Sequence, residues 1–90
     1  MTTAEKIKEL PLVALYTATS KKQAIIALQG LSFLDKISTI KSTIDLVNAE
    51  TDMLISQGAN DIAILKMSQV VLLEEVEMLI ERVSIKGRSL

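Results

Sequence analysis

The chain has 90 residues, no cysteine, no histidine and a formal net charge of −1, and these values limit its architecture and its chemistry. A chain of this length forms one small domain that buries roughly 60–65% of its unfolded surface, yet 49% of its residues are hydrophobic and only 2% are aromatic. Without cysteine there is no disulfide and no thiolate metal site. Without histidine the commonest general base is missing, and the balanced charge gives no field that steers a nucleic acid.

One or two short helices are predicted in residues 1–31. Thr2 with Glu5, and Ser20 with Gln23, have the three-residue spacing of capping boxes, in which each side chain bonds the other residue's backbone amide. Each pair therefore marks the start of a helix.

Pro11 lies between these two starts and precedes an apolar segment. Proline disfavours helical geometry at the residue before it, but it is tolerated as the first residue of a helix. The β-branched content of residues 12–19 also allows a strand, yet no other segment alternates to pair with it. A helix or turn is therefore the expected structure.

Gly30 either breaks the chain between two helices or bends one continuous helix. Ser32 with Asp35 forms a third capping box and restarts a helix after this glycine. A single alternation of three- and four-residue steps nevertheless crosses it, through Ile26, Gly30, Phe33, Ile37, Ile40, Ile44, Val47, Thr51 and Leu54. We expect a kink or a short break.

The five residues 57–61 end one long helix and start another. Gly58 suits the left-handed position after a helix, and Asn60 suits the N-cap of the next. So short a connection predicts an antiparallel hairpin of helices 32–57 and 60–86, with Gly87 ending the second and residues 87–90 as a tail.

The second long helix has two apolar faces. The main stripe, which we expect to face the core, is widened by Leu73 and Ile80 and consists of Ile62, Leu65, Gln69, Leu72, Val76, Leu79 and Val83. The second face projects from nearly the opposite side and consists of Ile64, Met67, Val71, Met78 and Ile85. It is either an interface with another chain, for which adaptable methionines are suited, or it is covered by residues 10–31 folding back.

Polar residues interrupt the stripes of both long helices, at Thr51 in the first and at Gln69 in the second. Such a residue can fix the register of packed helices, or it can reach water from the edge of the stripe. Counting from the turn places Thr51 and Gln69 within roughly one or two helical turns of each other. A polar contact between them is therefore one expectation.

The charged residues form two groups. Glu74, Glu77 and Glu81 share one side of the last helix, where solvation and pairing with Lys36 or Lys41 explain them better than a metal site, which would use histidine as well. A basic group, which could contact a phosphate backbone or another anion, consists of Lys21, Lys22, Arg82, Lys86 and Arg88.

We therefore predict an all-α protein of one helical domain, residues 1–90, in which oligomerisation completes a bundle. The expected function is a non-enzymatic assembly or adaptor subunit that forms a homo-oligomer, with a dimer favoured, and binds another protein. No catalytic residue, metal or cofactor is expected. The alternative is a small dimeric regulator that binds nucleic acid through its basic helix ends. No segment reaches the ~20 apolar residues of a membrane span, so a cytoplasmic location without a membrane partner is expected.

Overall fold

The computed structural model describes residues 11–88, with side chains described through Val83. This part of the chain forms four helices: α1 over residues 11–16, α2 over Lys21–Ala27, α3 over Phe33–Ser56 and α4 over Asn60–Arg88. The predicted all-α fold with a long helical hairpin is confirmed, because α3 and α4 pack against each other along their length. The capping box predicted at Thr2 and Glu5 lies outside the described residues.

Residues 11–16 form a helix and not a strand. The Thr17 backbone amide donates to the Val13 carbonyl oxygen at 3.1 Å, and the Ala18 amide donates to the Leu15 carbonyl oxygen at 3.2 Å. The Thr17 hydroxyl also donates to the Val13 carbonyl oxygen at 3.1 Å, in the last turn of the helix. The helix expected after Pro11 is therefore confirmed.

Ser20 caps α2, as predicted, because its Oγ accepts the Gln23 backbone amide at 3.2 Å. The Gln23 side chain does not complete the capping box. Its Oε1 instead accepts from the backbone amide and the hydroxyl of Thr19, at 2.8 Å and 2.9 Å. This contact extends the cap back towards α1.

A short break separates α2 from α3. Gly30 has a φ of +85°, in the left-handed region that favours glycine. The Ser32 Oγ then accepts the Asp35 backbone amide at 3.1 Å and starts α3. Of the two outcomes left open by the sequence, the break is the correct one.

The turn between α3 and α4 is a Schellman motif around Gly58, which has a φ of +80°. The Ala59 backbone amide reaches back to the Leu54 carbonyl oxygen at 2.8 Å. The Ala59 carbonyl oxygen in turn accepts the first bond of α4, from the Ala63 amide at 3.1 Å. The prediction of Asn60 as N-cap was therefore wrong by one residue.

The prediction that Gly87 ends the last helix was also wrong, because α4 continues to Arg88. A glycine lowers helix stability most in the interior of a helix, and Gly87 is next to the last residue. Of the predicted tail, residues 89 and 90 lie outside the described part of the chain.

The core lies where the N-terminal helices meet the hairpin. Its buried members come from all four helices and the two connections before α3: Leu15, Ala18, Ala24, Leu28, Ile40, Leu73 and Val76. Residues 11–31 therefore share one core with the hairpin.

The stripe predicted for α3 faces this core, with Ile40, Val47 and Thr51 buried. Thr43, which was not part of the predicted stripe, is buried as well. The hydroxyls of Thr43 and Thr51 donate to the carbonyl oxygens four residues earlier, each at 2.8 Å. Their polar atoms are thus satisfied within the helix and can face an apolar neighbour.

Helix α4 is rotated about its axis relative to the prediction. Its buried residues are Ala63, Val70, Leu73 and Val76. Four residues of the predicted main stripe are exposed instead: Ile62, Leu65, Leu79 and Val83. The prediction followed the longest series of apolar residues at three- and four-residue steps. The packing instead buries the small side chains of Ala63 and Val70. Because the distance between two packed helices depends on the side chains at their contact, small side chains let two helices approach closely.

Candidate interaction surface

Seven large apolar side chains lie on the side of α4 that points away from the core, along both sides of a line that carries Asp61, Ser68, Glu75 and Arg82. These seven side chains are between 36% and 69% exposed and lie within a sector of about 160° at 100° per residue. We call this surface the outer face of α4, and it consists of Ile64, Leu65, Met67, Val71, Met78, Leu79 and Val83.

The outer face combines both predicted faces of this helix. Four of its residues belong to the predicted interface, namely Ile64, Met67, Val71 and Met78; the fifth, Ile85, has its side chain outside the described part of the structure. The other three were expected in the core. Residues 11–31, the alternative cover, contribute instead to the core around Leu73 and Val76. Within residues 11–83 the outer face therefore stays open.

Helix α3 has no comparable surface among its described residues. Its exposed large apolar residues are flanked by exposed polar positions such as Asp35, Asp45 and Asp52, and they are Leu34, Leu46, Met53 and Ile55. Single exposed apolar residues are normal on soluble proteins, whereas a continuous patch is not. The exposed apolar residues of α4 are thus the ones that require an explanation.

An apolar groove of about 340 Å³ borders the outer face near the end of α4. It lies between α2, the start of α3 and α4, and its lining consists of Ile25, Phe33, Lys36, Leu79, Ile80 and Val83. Leu79 and Val83 belong to both surfaces. The groove therefore widens the apolar area towards the N-terminal helices.

The structure brings two residues of the predicted basic group together. Lys21 forms an ion pair with Glu75 at 2.6 Å, and Lys21 and Arg82 line one shallow groove with that carboxylate. Lys22 is exposed nearby. The side chains of the remaining members, Lys86 and Arg88, lie outside the described residues. Both partners of the Lys21 pair are about half exposed, so the pair contributes only ~0–1 kcal/mol.

The predicted pairing of the glutamate row was wrong. Glu74, Glu77 and Glu81 form no ion pair with Lys36 or Lys41; the described ion pair of this part of α4 is made by their neighbour Glu75 with Lys21. Among residues with described side chains, no group of acidic residues is placed to hold a metal ion.

A polar cluster that the sequence did not reveal joins α1, α3 and α4. The Tyr16 hydroxyl donates to Glu50 Oε2 at 2.8 Å, and Lys66 Nζ donates to the Tyr16 oxygen at 2.8 Å. Lys66 Nζ also lies 3.8 Å from the Glu50 carboxylate and 4.6 Å from the centroid of the Tyr16 ring. The side chains of Lys66 and Glu50 are only 22% and 33% exposed. We call Tyr16, Glu50 and Lys66 the Tyr16 cluster.

The electrostatics of the Tyr16 cluster favour a charged Lys66. The hydrogen bond to Tyr16 is the largest effect and raises the pKa of the Lys66 ammonium above its ordinary value. Burial opposes it by a smaller amount, and the Glu50 carboxylate raises the pKa further. The second carboxylate oxygen of Glu50, Oε1, is buried without a hydrogen-bond partner. The ion pair of Lys66 and Glu50, to which the Tyr16 hydroxyl is bonded, therefore connects α1, α3 and α4.

Gln69 and Thr51 do not form the contact expected between them. The Gln69 side-chain amide donates to the Tyr16 carbonyl oxygen, and the Thr51 hydroxyl bonds within its own helix. Residues of an antiparallel hairpin meet when they are equally distant from the turn. Glu50 and Lys66 satisfy this rule around Gly58, whereas Thr51 and Gln69 do not. This spacing of opposite charges is the sequence signal that would have revealed the pair.

No protein-family model, curated protein or solved structure matches this chain. In the described part of the chain, the helices are too short or too polar to cross a membrane. Function must therefore be inferred from the surface itself.

Proposed function

We propose that this protein is a non-enzymatic assembly subunit in the cytoplasm, which associates with itself through the outer face of α4 and acts by binding another protein. The observation that carries the proposal is the apolar surface that residues 11–83 leave open along a helix whose opposite side is already in the core.

The size of this surface supports association. Its seven large side chains are each between 36% and 69% exposed, and monomers rarely expose contiguous apolar patches larger than a few hundred Å². A typical specific interface buries about 800 Å² per partner, of which the central part is about 65% apolar. The outer face matches the apolar part of such an interface, and the groove at Leu79 and Val83 adds to it.

The composition of the surface supports a protein partner. Met67 and Met78 lie on the outer face, and flexible thioether side chains adapt to irregular apolar partners. Asp61 and Arg82 lie at its two ends, and Ser68 and Glu75 lie between its apolar residues. Protein interfaces combine apolar contacts with a small number of hydrogen-bonding groups.

The experiment that tests the proposal is light scattering on an eluting peak, for the wild type and for Val71→Glu, over a range of concentrations. Val71 is 55% exposed, so the substitution leaves the fold of the subunit intact. A carboxylate at the centre of an apolar contact is expected to raise the dissociation constant roughly 100-fold. The wild type is therefore expected to have the mass of a dimer or a larger species under conditions where Val71→Glu is a monomer.

Met53→Glu is the matched control, because Met53 is similarly exposed but lies on α3. Its mass should equal that of the wild type. Circular dichroism checks that both variants keep their helices. A wild-type protein that stays monomeric at every concentration, or a Val71→Glu variant with unchanged mass, would contradict the proposal.

A further inference from the structure

The residues along the middle of the outer face have a two-fold pattern. At 100° per residue, six residues lie within a sector of about 60°: Asp61, Ile64, Ser68, Glu75, Leu79 and Arg82. Each has a counterpart at the same distance from the midpoint between Val71 and Leu72. Asp61 corresponds to Arg82, Ile64 to Leu79, and Ser68 to Glu75.

This pattern is complementary only when two copies of α4 run in opposite directions. An acidic residue then meets a basic one, an aliphatic residue meets an aliphatic one, and a hydroxyl meets a carboxylate. In a parallel pair each residue would meet its own copy, so Asp61 and Arg82 would each face a like charge. Like charges placed opposite each other destabilise an interface.

We propose that a second copy of this chain packs its α4 antiparallel on the outer face of α4, around a two-fold axis that passes between Val71 and Leu72. This arrangement rests on the proposed self-association and specifies its geometry. The axis makes each contact occur twice, as in an isologous dimer. Asp61 contacts the partner's Arg82 at both ends, and Ile64 packs on the partner's Leu79 on both sides of the centre.

The residues that flank this middle line also correspond in pairs. Val71 and Met78 lie on one side, and Leu72 and Leu65 lie on the other; the axis exchanges Val71 with Leu72 and Met78 with Leu65. Apolar residues therefore meet apolar residues at these four positions, whereas Met67 and Val83 correspond to the buried Val76 and to Asn60 and do not form such pairs. The Glu75 carboxylate is already neutralised by Lys21 at 2.6 Å, so it can accept the hydroxyl of the partner's Ser68 without an unpaired charge.

The described helices leave room for this partner. The buried side of α4, with Ala63, Val70 and Leu73, is turned towards α3 and the core. Ile64 and Leu65 are 60% and 69% exposed on the other side. At Ser68 and Glu75 the α1–α2 connection and Lys21 of α2 border the same line, so a second helix would also contact these segments.

Disulfide formation between single-cysteine variants tests the direction of pairing, and the natural chain contains no cysteine that would interfere. Ile64→Cys and Leu79→Cys are mixed, one of them with a tag that changes its mass, and oxidised gently. The antiparallel arrangement predicts a mixed disulfide as the main covalent product. The two Ile64 positions of such a dimer are about 22 Å apart along the helix axis, far beyond the ~7 Å limit between Cα atoms, so Ile64→Cys alone should not crosslink.

Met53→Cys, exposed on α3, is the control for random collision. Ile64→Cys that crosslinks with itself as readily as with Leu79→Cys would overturn the antiparallel arrangement. In that outcome the self-association of the proposed function would still stand.

Charge reversal provides a second test that does not depend on disulfide geometry. Asp61→Arg and Arg82→Asp should each raise the dissociation constant of the dimer roughly tenfold, because each puts like charges at both ends. The double variant should return to within about threefold of the wild type, since the pairs are restored with exchanged signs. Asp45→Arg on α3 is the matched control and should have no effect.

The outcomes separate the two proposals. Single reversals that weaken the dimer and a double variant that does not recover would overturn the pairing of Asp61 with the partner's Arg82. A wild-type protein that is monomeric throughout would overturn both the arrangement and the proposed function.

Discussion

Lys66 of α4 lies 3.8 Å from the Glu50 carboxylate of α3, and the two residues are equally distant from Gly58. The Tyr16 hydroxyl bonds both of them at 2.8 Å. The register of the hairpin and the position of α1 are therefore linked through one ion pair. Several consequences of this and related contacts can be measured.

The Tyr16 cluster predicts a loss of stability at high pH. The pKa of Lys66 is raised in the folded protein above 10.5. Its stabilising effect is therefore complete below the unfolded pKa and disappears as the pH rises through the folded pKa. The difference in unfolding free energy between the wild type and Lys66→Met should stay constant from pH 7 to about pH 10 and then shrink.

Urea unfolding at fixed protein concentration measures this difference. Lys41→Met is the control, because Lys41 is exposed on α3 and makes no described ion pair with Glu50. Its stability should follow that of the wild type at every pH. A Lys66→Met difference that is the same at pH 7 and above pH 11 would show that the charge of Lys66 contributes nothing.

Gln69 holds α1 on the hairpin through its bond to the Tyr16 carbonyl oxygen. Gln69→Leu should reduce the unfolding free energy by about 1 kcal/mol, because the half-buried carbonyl loses its partner. For a domain of this size the melting temperature should fall by roughly 4–8 °C. The same substitution at the exposed Gln29 should change it little. Equal melting temperatures for the two variants would contradict the role of Gln69.

The rotation of α4 predicts opposite outcomes for two residues of the predicted stripe. Leu73 is fully buried, so Leu73→Ala should cost about 2–5 kcal/mol of unfolding free energy. Ile62 is 51% exposed, so Ile62→Ala should cost less than about 1 kcal/mol. Chemical denaturation of both variants at one protein concentration checks the order. Similar costs would indicate that the predicted stripe faces the core after all.

The alternative of nucleic-acid binding predicts a salt-dependent gel shift that is lost when Lys21, Lys22 and Arg88 are all replaced by alanine. We expect no retardation even at low salt, because Lys21 is already paired with Glu75 and the net charge is −1. A shift that disappears in the triple variant, with its helical content unchanged, would favour the alternative.

The hairpin was predictable because its signals are local. Gly58 and the caps Ser20 and Ser32 act within a few residues of their own positions, so the chain shows them directly. The stripe of α3 was predictable for a related reason. This helix has only one continuous apolar face, so only one side can be buried.

The orientation of α4 was not predictable in the same way, because this helix has apolar residues on almost every side. The three- and four-residue spacing favoured the face with Leu65 and Leu79, whereas the buried face of the helix uses Ala63 and Val70. The choice depends on the fit between two helices and not on the pattern of one. Tyr16 is a similar case, since its partners are 34 and 50 residues away in the chain.

Tyr16 is the only tyrosine of a chain without tryptophan, and this gives the protein a built-in optical reporter. Its ultraviolet absorbance and fluorescence arise from a phenol that contacts α3 and α4 at the point where α1 meets them. If α1 left the hairpin while the helices persisted, the near-ultraviolet signal would change and the far-ultraviolet circular dichroism would not. The docking of the N-terminal segment can therefore be followed separately from the unfolding of the hairpin, on the unlabelled protein.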